Sequence, residues 1–107
     1  MQIERRSARR NKVSIFCNQY IDGTPYLGEA LEISMSGALV RRVLAPETSR
    51  ACYALEVGVP DKAHDRVFLC ATPVWRHRGF EALRFVAQTH GDKLRLADLL
   101  RGIGRSN

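Results

Sequence analysis

Between Val13 and Phe85 the apolar residues recur with a period of two, and beyond Asp92 the period becomes that of a helix. That switch constrains the chain to strands followed by a helix. Side chains alternate across a strand but return to one helix face at i, i+3, i+4 and i+7. Val13, Ile15 and Cys17 alternate with Ser14, Phe16 and Asn18 as a first strand. Asp22-Gly23-Thr24-Pro25 marks a turn, with Asp-Gly supplying positive φ. Residues 26–33 read as the next strand, broken or bulged near Gly28, which runs into a turn over 34–37 and out again as a strand over 38–43. Residues 45–49 form a loop, and 51–59 place Tyr53, Leu55 and Val57 on one face. After a polar connection over 60–65, residues 67–77 read as one long strand kinked at Pro73, a residue tolerated at sheet edges or bulges. Arg78-Gly79 is a tight turn, and 81–88 carry Leu83 and Phe85 on one face. Asp92 is the expected N-cap, and Leu96, Leu99, Leu100 and Ile103 form one stripe. Gly102 or Gly104 is the expected stop. Such a helix is too short to stand alone in water and must pack on the sheet. Six short strands and one helix predict an all-β domain, a small antiparallel barrel or sandwich with a helical lid.

The size of 107 residues suits one domain with a modest core. No apolar run approaches the about 18 residues of a membrane span, and no apolar stretch follows the polar start as in a secretory signal. A cytoplasmic location and no membrane partner are therefore expected. Cys17, Cys52 and Cys70 are widely spaced in apolar contexts and are expected to be buried free thiols. They lack the C-x-x-C spacing of a zinc site, and His64, His77 and His90 are scattered. No phosphate-binding loop, nucleophile elbow or H-E-x-x-H helix is present, so neither an enzyme nor a bound cofactor is expected. Trp75 reads as core or rim packing, with base stacking as the lesser use.

The formal charge of +6 and a pI near 9.8 point to an anionic partner. Its distribution is uneven. Residues 1–12 hold Arg5, Arg6, Arg9, Arg10 and Lys12 against Glu4, five positive to one negative, so four of the six net charges lie there. This segment reads as a flexible basic arm, with the folded domain over 13–107. A guanidinium forks onto two acceptors at once and stacks on ring faces, so Arg6 and Arg10, four residues apart, can converge on one compact anion. Guanine presents such an acceptor pair at O6 and N7. A second feature is the stretch 31–40, Leu-Glu-Ile-Ser-Met-Ser-Gly-Ala-Leu-Val. Leu31 and Ile33 alternate with Glu32 and Ser34, and Gly37 can take positive φ. Ser34 and Ser36 offer hydroxyls and backbone N–H groups in the manner of an anion-binding nest. Alone, the stretch also reads as an ordinary hairpin turn, and the arm as a solvated tail.

Together the two features resemble the PilZ family of bacterial cyclic di-GMP receptors. Its R-x-x-x-R motif is matched by Arg6 and Arg10, and the Ser and Gly of its (Asp/Asn)-x-Ser-x-x-Gly motif by Ser34 and Gly37. Phe80-Glu81-Ala82-Leu83-Arg84-Phe85 is similar to a late family strand. Glu32 stands where the family has Asp or Asn, and Ala82 where glycine is common. The resemblance implies a six-stranded antiparallel β-barrel with a C-terminal α-helix. It implies a non-enzymatic receptor whose ligand, cyclic di-GMP, meets Arg5, Arg6, Arg10, Glu32, Ser34 and Gly37. The arm would fold over the ligand and present a new surface to a protein effector, as in motility and biofilm signalling. The alternatives are a degenerate PilZ domain that binds protein without nucleotide, and a small basic barrel that binds RNA or DNA. The last would carry Trp75 and Phe80 on an exposed face beside basic residues.

Overall fold

The computed structural model describes residues 11–43, 52–59 and 62–106. Six strands form a closed antiparallel barrel: β1 (Asn11–Ile21), β2 (Thr24–Ile33), β3 (Gly37–Arg42), β4 (Tyr53–Val59), β5 (Lys62–His77) and β6 (Phe80–Val86). Their order around the wall is β1-β2-β3-β6-β5-β4, and β4 pairs back onto β1. One helix, α1 (His90–Ser106), follows. The expected barrel and helix are thus present. Arg5, Arg6 and Arg10 lie outside the described residues. Asn11 and Lys12, assigned above to the arm, pair with Ile33 and Glu32 as the first rungs of β1.

The hairpins close where the sequence indicates. Asp22 and Gly23 take φ of 53° and 81°, and Arg78 and Gly79 take 51° and 83°. Two successive positive φ values match the right-handed twist of the strands they join. The core is built from the inward side chains of the alternating strands. Cys17, Ala30, Ile33, Val40, Leu55, Val57, Val67, Leu69, Ala71, Leu83 and Phe85 meet inside the barrel. Leu96, Leu99 and Ile103 of α1 join them, packing against β1 and β5.

Several local expectations need correction. β2 is not broken at Gly28, which pairs regularly with Cys17 and Arg42. The irregularity lies three residues later, at Leu31. The helix begins with a reciprocal box: Asp92 N donates to Thr89 Oγ1 and Thr89 N to Asp92 Oδ2, each at 3.0 Å. Thr89 is therefore the N-cap and Asp92 the returning partner. The Thr89 N–H, then its hydroxyl and Arg95, hold the Asp92 carboxyl below its ordinary range. Neither Gly102 nor Gly104 stops the helix, which continues to Ser106. Of the three thiols only Cys17 is buried; Cys52 is exposed and Cys70 half-buried.

One end of the barrel interior is polar. Glu81 is wholly buried and Gln19 is 2% exposed. Gln19 Nε2 donates to Glu81 Oε1 at 2.9 Å and to the Tyr53 hydroxyl at 3.0 Å, and Tyr53 also donates to Glu81. Arg76 ion-pairs with the other carboxylate oxygen. Four strands are cross-linked by this cluster, whose polar atoms satisfy one another as burial demands. Burial and the adjoining Glu81 carboxylate push the Tyr53 phenol above its ordinary value.

Candidate functional site

Two β-bulges decide what the outer wall displays. In β2, Ala30 faces inward and is fully buried. Strict alternation would send Glu32 inward as well. Instead Ala30 pairs with Val40 and Glu32 with Leu39, so Leu31 is an extra residue between consecutive rungs. Glu32 is turned outward, and Ile33, fully buried, takes the inward place. In β5, Ala71 faces inward and Pro73 pairs with the inward Leu83, yet Trp75 pairs with the outward Ala82. Val74 is the extra residue here. The bulge aims Trp75 at solvent, 49% exposed, and turns Arg76 in toward Glu81. A bulge re-aims side chains in this way because one added residue inverts the alternation.

Both re-aimed residues fall on one row. Glu32 pairs with Leu39, Leu39 with Ala82, and Ala82 with Trp75. At about 4.8 Å per strand the row spans about 14 Å of outer wall, with a carboxylate at one end and an indole at the other. Leu39 and the small Ala82 form its floor. On the β1 side the backbone of Lys12 pairs with Glu32. On the next outward row, toward the 34–37 turn, Gly37 pairs with Arg84 and Arg84 with Thr72. Arg84 is exposed beside the turn. Sequence reasoning did not count it as a site residue, although its even position in β6, opposite in parity to Leu83 and Phe85, already marks it as outward.

The turn is held rigidly. Ser34 is 2% exposed, and its Oγ accepts from the backbone N–H of Ser36 and of Gly37, both at 3.2 Å. Ser34 N donates to Gly37 O at 2.9 Å. The nest expected from the sequence is therefore occupied by the Ser34 hydroxyl itself: those two N–H groups are spent inside the turn. Ser36 and Met35 are the exposed members. From the far side Phe85 N donates to Ser36 O at 2.9 Å, and Gln88 Nε2 to Met35 O at 3.2 Å, which ties the turn to β6 and its exit.

Gly37 is required for a different reason than the one expected. Positive φ among glycines is confined to Gly23 and Gly79 in the described residues. A Cβ on Gly37 would sit 2.1 Å from Leu83 O and 3.2 Å from Leu83 C. Glycine lets β3 approach β6 backbone to backbone at the foot of the turn. The neighbouring cation on β3 is already engaged: Arg41 Nε donates to Glu29 Oε1 at 3.1 Å. The Ser14 hydroxyl, then Arg41, hold the Glu29 carboxyl below its ordinary range.

The barrel with its terminal helix resembles solved structures in overall fold. The PilZ domain of CeSA from a cellulose-synthesizing bacterium superposes with a TM-score of 0.72 at 16% identity, over 90% of this chain and 98% of that one. The chain has the PilZ fold. An uncharacterized Legionella protein matches with a TM-score of 0.64 at 20% identity, over 92% of this PilZ-fold chain and 98% of its own. The Bacillus subtilis inhibitor of motility MotI/DgrA matches with a TM-score of 0.65 at 20% identity, over 95% of this chain and 51% of that one. This PilZ-fold domain thus spans about half of MotI/DgrA. No protein-family model and no curated protein matches the sequence. Among the described residues no helix is long and apolar enough to cross a membrane.

Proposed function

We propose that this PilZ-fold domain is a non-enzymatic receptor for cyclic di-GMP. The observation that carries the reading is the convergence of two bulges on one outer row, with Glu32 and Trp75 at its ends and the 34–37 turn and Arg84 alongside. In this reading the indole of Trp75 offers a stacking face for a guanine. Arg84 and the arm residues Arg5, Arg6 and Arg10 take phosphates and guanine edges. Ser34 and Gly37 shape the floor on which the ligand rests, Ser34 by filling the turn and Gly37 by letting the strands close. Glu32 is one methylene longer than the family's Asp, and its reach fixes how closely a purine edge can approach. Ordering the arm costs backbone entropy of about 1–2 kcal/mol per residue, which the charge-assisted contacts must exceed. The ordered arm then presents a surface to a protein effector, a role in keeping with regulation of motility or of a surface polysaccharide.

Calorimetric titration with cyclic di-GMP tests this. Arg10→Ala and Arg6→Ala are each expected to weaken binding by tenfold to over a hundredfold, about 1.5–3 kcal/mol per lost charge-assisted contact, with unchanged melting temperature. Unchanged affinity in both variants defeats the arm. Absence of heat in the intact chain defeats the ligand and leaves the degenerate, protein-binding reading. One observation favours a second reading. Trp75 and Phe80 are 49% and 37% exposed on the wall that also carries Arg41 and Arg84, the arrangement expected of a single-strand nucleic-acid binder. Tight, steeply salt-dependent binding to a polynucleotide would decide for it.

A further inference from the structure

We propose that Cys52 and Cys70 are an oxidation site, closing to a reversible cross-strand disulfide that ties the start of β4 to β5. Their sulfurs lie 3.7 Å apart. Ala54 pairs with Cys70 and Tyr53 with Ala71, so Cys52 lies one rung outside the ladder, diagonal to Cys70 on the outer wall. A disulfide needs a sulfur separation of about 2.05 Å, so the pair must close by about 1.7 Å. Diagonal pairs inside a ladder are held wide by the backbone on both sides. Cys52 is not so held. It precedes the first rung, Tyr53 with Ala71, and its side chain is exposed, so the ladder flanks it on one side only. The same exposure makes it the sulfur that an oxidant reaches first.

The chemistry balances with a hydroperoxide as oxidant. The Cys52 thiolate attacks one peroxide oxygen, the O–O bond breaks, and the leaving hydroxide takes up a proton as water. Cys52 is then a sulfenic acid. The Cys70 thiolate attacks Cys52 Sγ, the S–O bond breaks, a second water leaves, and the S–S bond forms. Two electrons pass from the thiols to one peroxide. Burial, and the neighbouring Cys52 sulfur, push the Cys70 thiol above its ordinary value, which makes it the poorer initiator of the pair; its place 3.7 Å from Cys52 Sγ makes it the resolving partner. Cys17 stands apart. It is buried inside the barrel, and burial pushes its thiol to about 12. The inference is independent of the receptor reading.

The test uses the full chain, reduced and then treated with hydrogen peroxide. The expected product is a monomer lighter by two hydrogen atoms, with Cys52 and Cys70 joined in the peptide map and Cys17 still labelled by maleimide after unfolding. Its melting temperature should rise by about 10 °C, as closing a loop of this length restricts the unfolded chain, and dithiothreitol should reverse it. Cys70→Ser should instead leave an oxygen adduct on Cys52. If that variant fails to fold, Cys52→Ala, at an exposed position outside β4, should abolish the two-hydrogen loss. Oxygen adducts without that loss in the unaltered chain, a bond only between chains, or no rise in melting temperature each overturns the proposal.

Discussion

Substituting Gly37 by Ala tests whether the foot of the turn depends on contact between two backbones. The added Cβ would lie 2.1 Å from Leu83 O. An ordinary carbon–oxygen approach is about 3.3 Å, so β3 must withdraw from β6 by about 1.2 Å or the turn must distort. Leu83 O is backbone in a closed barrel and cannot swing aside as a side-chain tip could. The withdrawal stretches the nearby Phe85 N to Ser36 O bond from 2.9 Å to beyond hydrogen-bonding reach. Overpacking of this kind costs about 1–3 kcal/mol, and each broken hydrogen bond about 0.5–1.5 kcal/mol more. With that one bond the sum, about 1.5–4.5 kcal/mol, corresponds to a melting temperature lower by about 6–18 °C in a domain of this size. Gly58→Ala is the matched control. It lies within β4, and its added Cβ meets only Arg66 Nη1, at 3.5 Å, the far end of a flexible side chain. Differential scanning calorimetry of both variants decides the matter. A Gly37→Ala midpoint within about 3 °C of Gly58→Ala would refute the close-approach argument.

Arg76→Ala strands the wholly buried Glu81 carboxylate. It should cost about 3 kcal/mol in urea unfolding, the low end for a broken buried pair because Arg76 keeps 28% exposure, and an unchanged midpoint would contradict the cluster. Thr89→Ala removes the N-cap of α1 and should cost about 0.5–2 kcal/mol, with faster amide exchange in the first turn as the local sign. Cys17, raised from 9.0 to about 12 in the fold, stays protonated where the unfolded thiol ionises. Stability is therefore complete below about pH 9 and falls as pH rises toward 12, by about 1.4 kcal/mol per pH unit for that one group. Cys17→Ala should flatten that slope, and an identical alkaline slope in both proteins would remove Cys17 as its cause. Deleting Val74, which is 57% exposed, should leave the fold intact with Trp75 still outward, because regular alternation then runs from Pro73 through Trp75 to Arg76. Tryptophan fluorescence quenched by iodide as in the parent chain is the expected readout, and a shielded, blue-shifted Trp75 would contradict the bulge.

What local pattern encodes was legible from the residues alone. The change of period after Asp92 foretold strands and then a helix, and the hairpins close at Asp22-Gly23, where positive φ was expected, and at Arg78-Gly79, where a tight turn was. The stripe of Leu96, Leu99 and Ile103 is the buried face of α1. What depends on neighbours distant in the chain was not legible. Gly37 reads as a turn glycine until Leu83, many residues later, is seen against it. Ser34 and Ser36 read as donors facing outward until the Ser34 hydroxyl is found satisfying the turn's own N–H groups. The three thiols looked alike because the β4–β5 register, which puts Cys52 beside Cys70, is not a property of either segment. Glu81 shares parity with Leu83 and Phe85, so its inward position was available from the sequence. Its tolerance there required Gln19, Tyr53 and Arg76 from three other strands.

The two bulges are where local and global information meet. In a closed barrel every strand has a core face, so a one-residue inversion moves all later side chains to the wrong side unless it coincides with a change in the pattern. The sequence contains such changes. Along β2 the inward residues run Gly28, Ala30 and then Ile33, and along β5 Leu69, Ala71, Pro73 and then Arg76. Each skips one step, and each skip places a large side chain, Glu32 or Trp75, on the outer wall at the same level. A single bulge can be a device for twist alone. Two, on the strands that flank β3 and β6 and facing each other across Leu39 and Ala82, build a surface with opposite chemistry at its ends. In the receptor reading proposed above, that row is the recognition platform and the barrel is the frame that holds it.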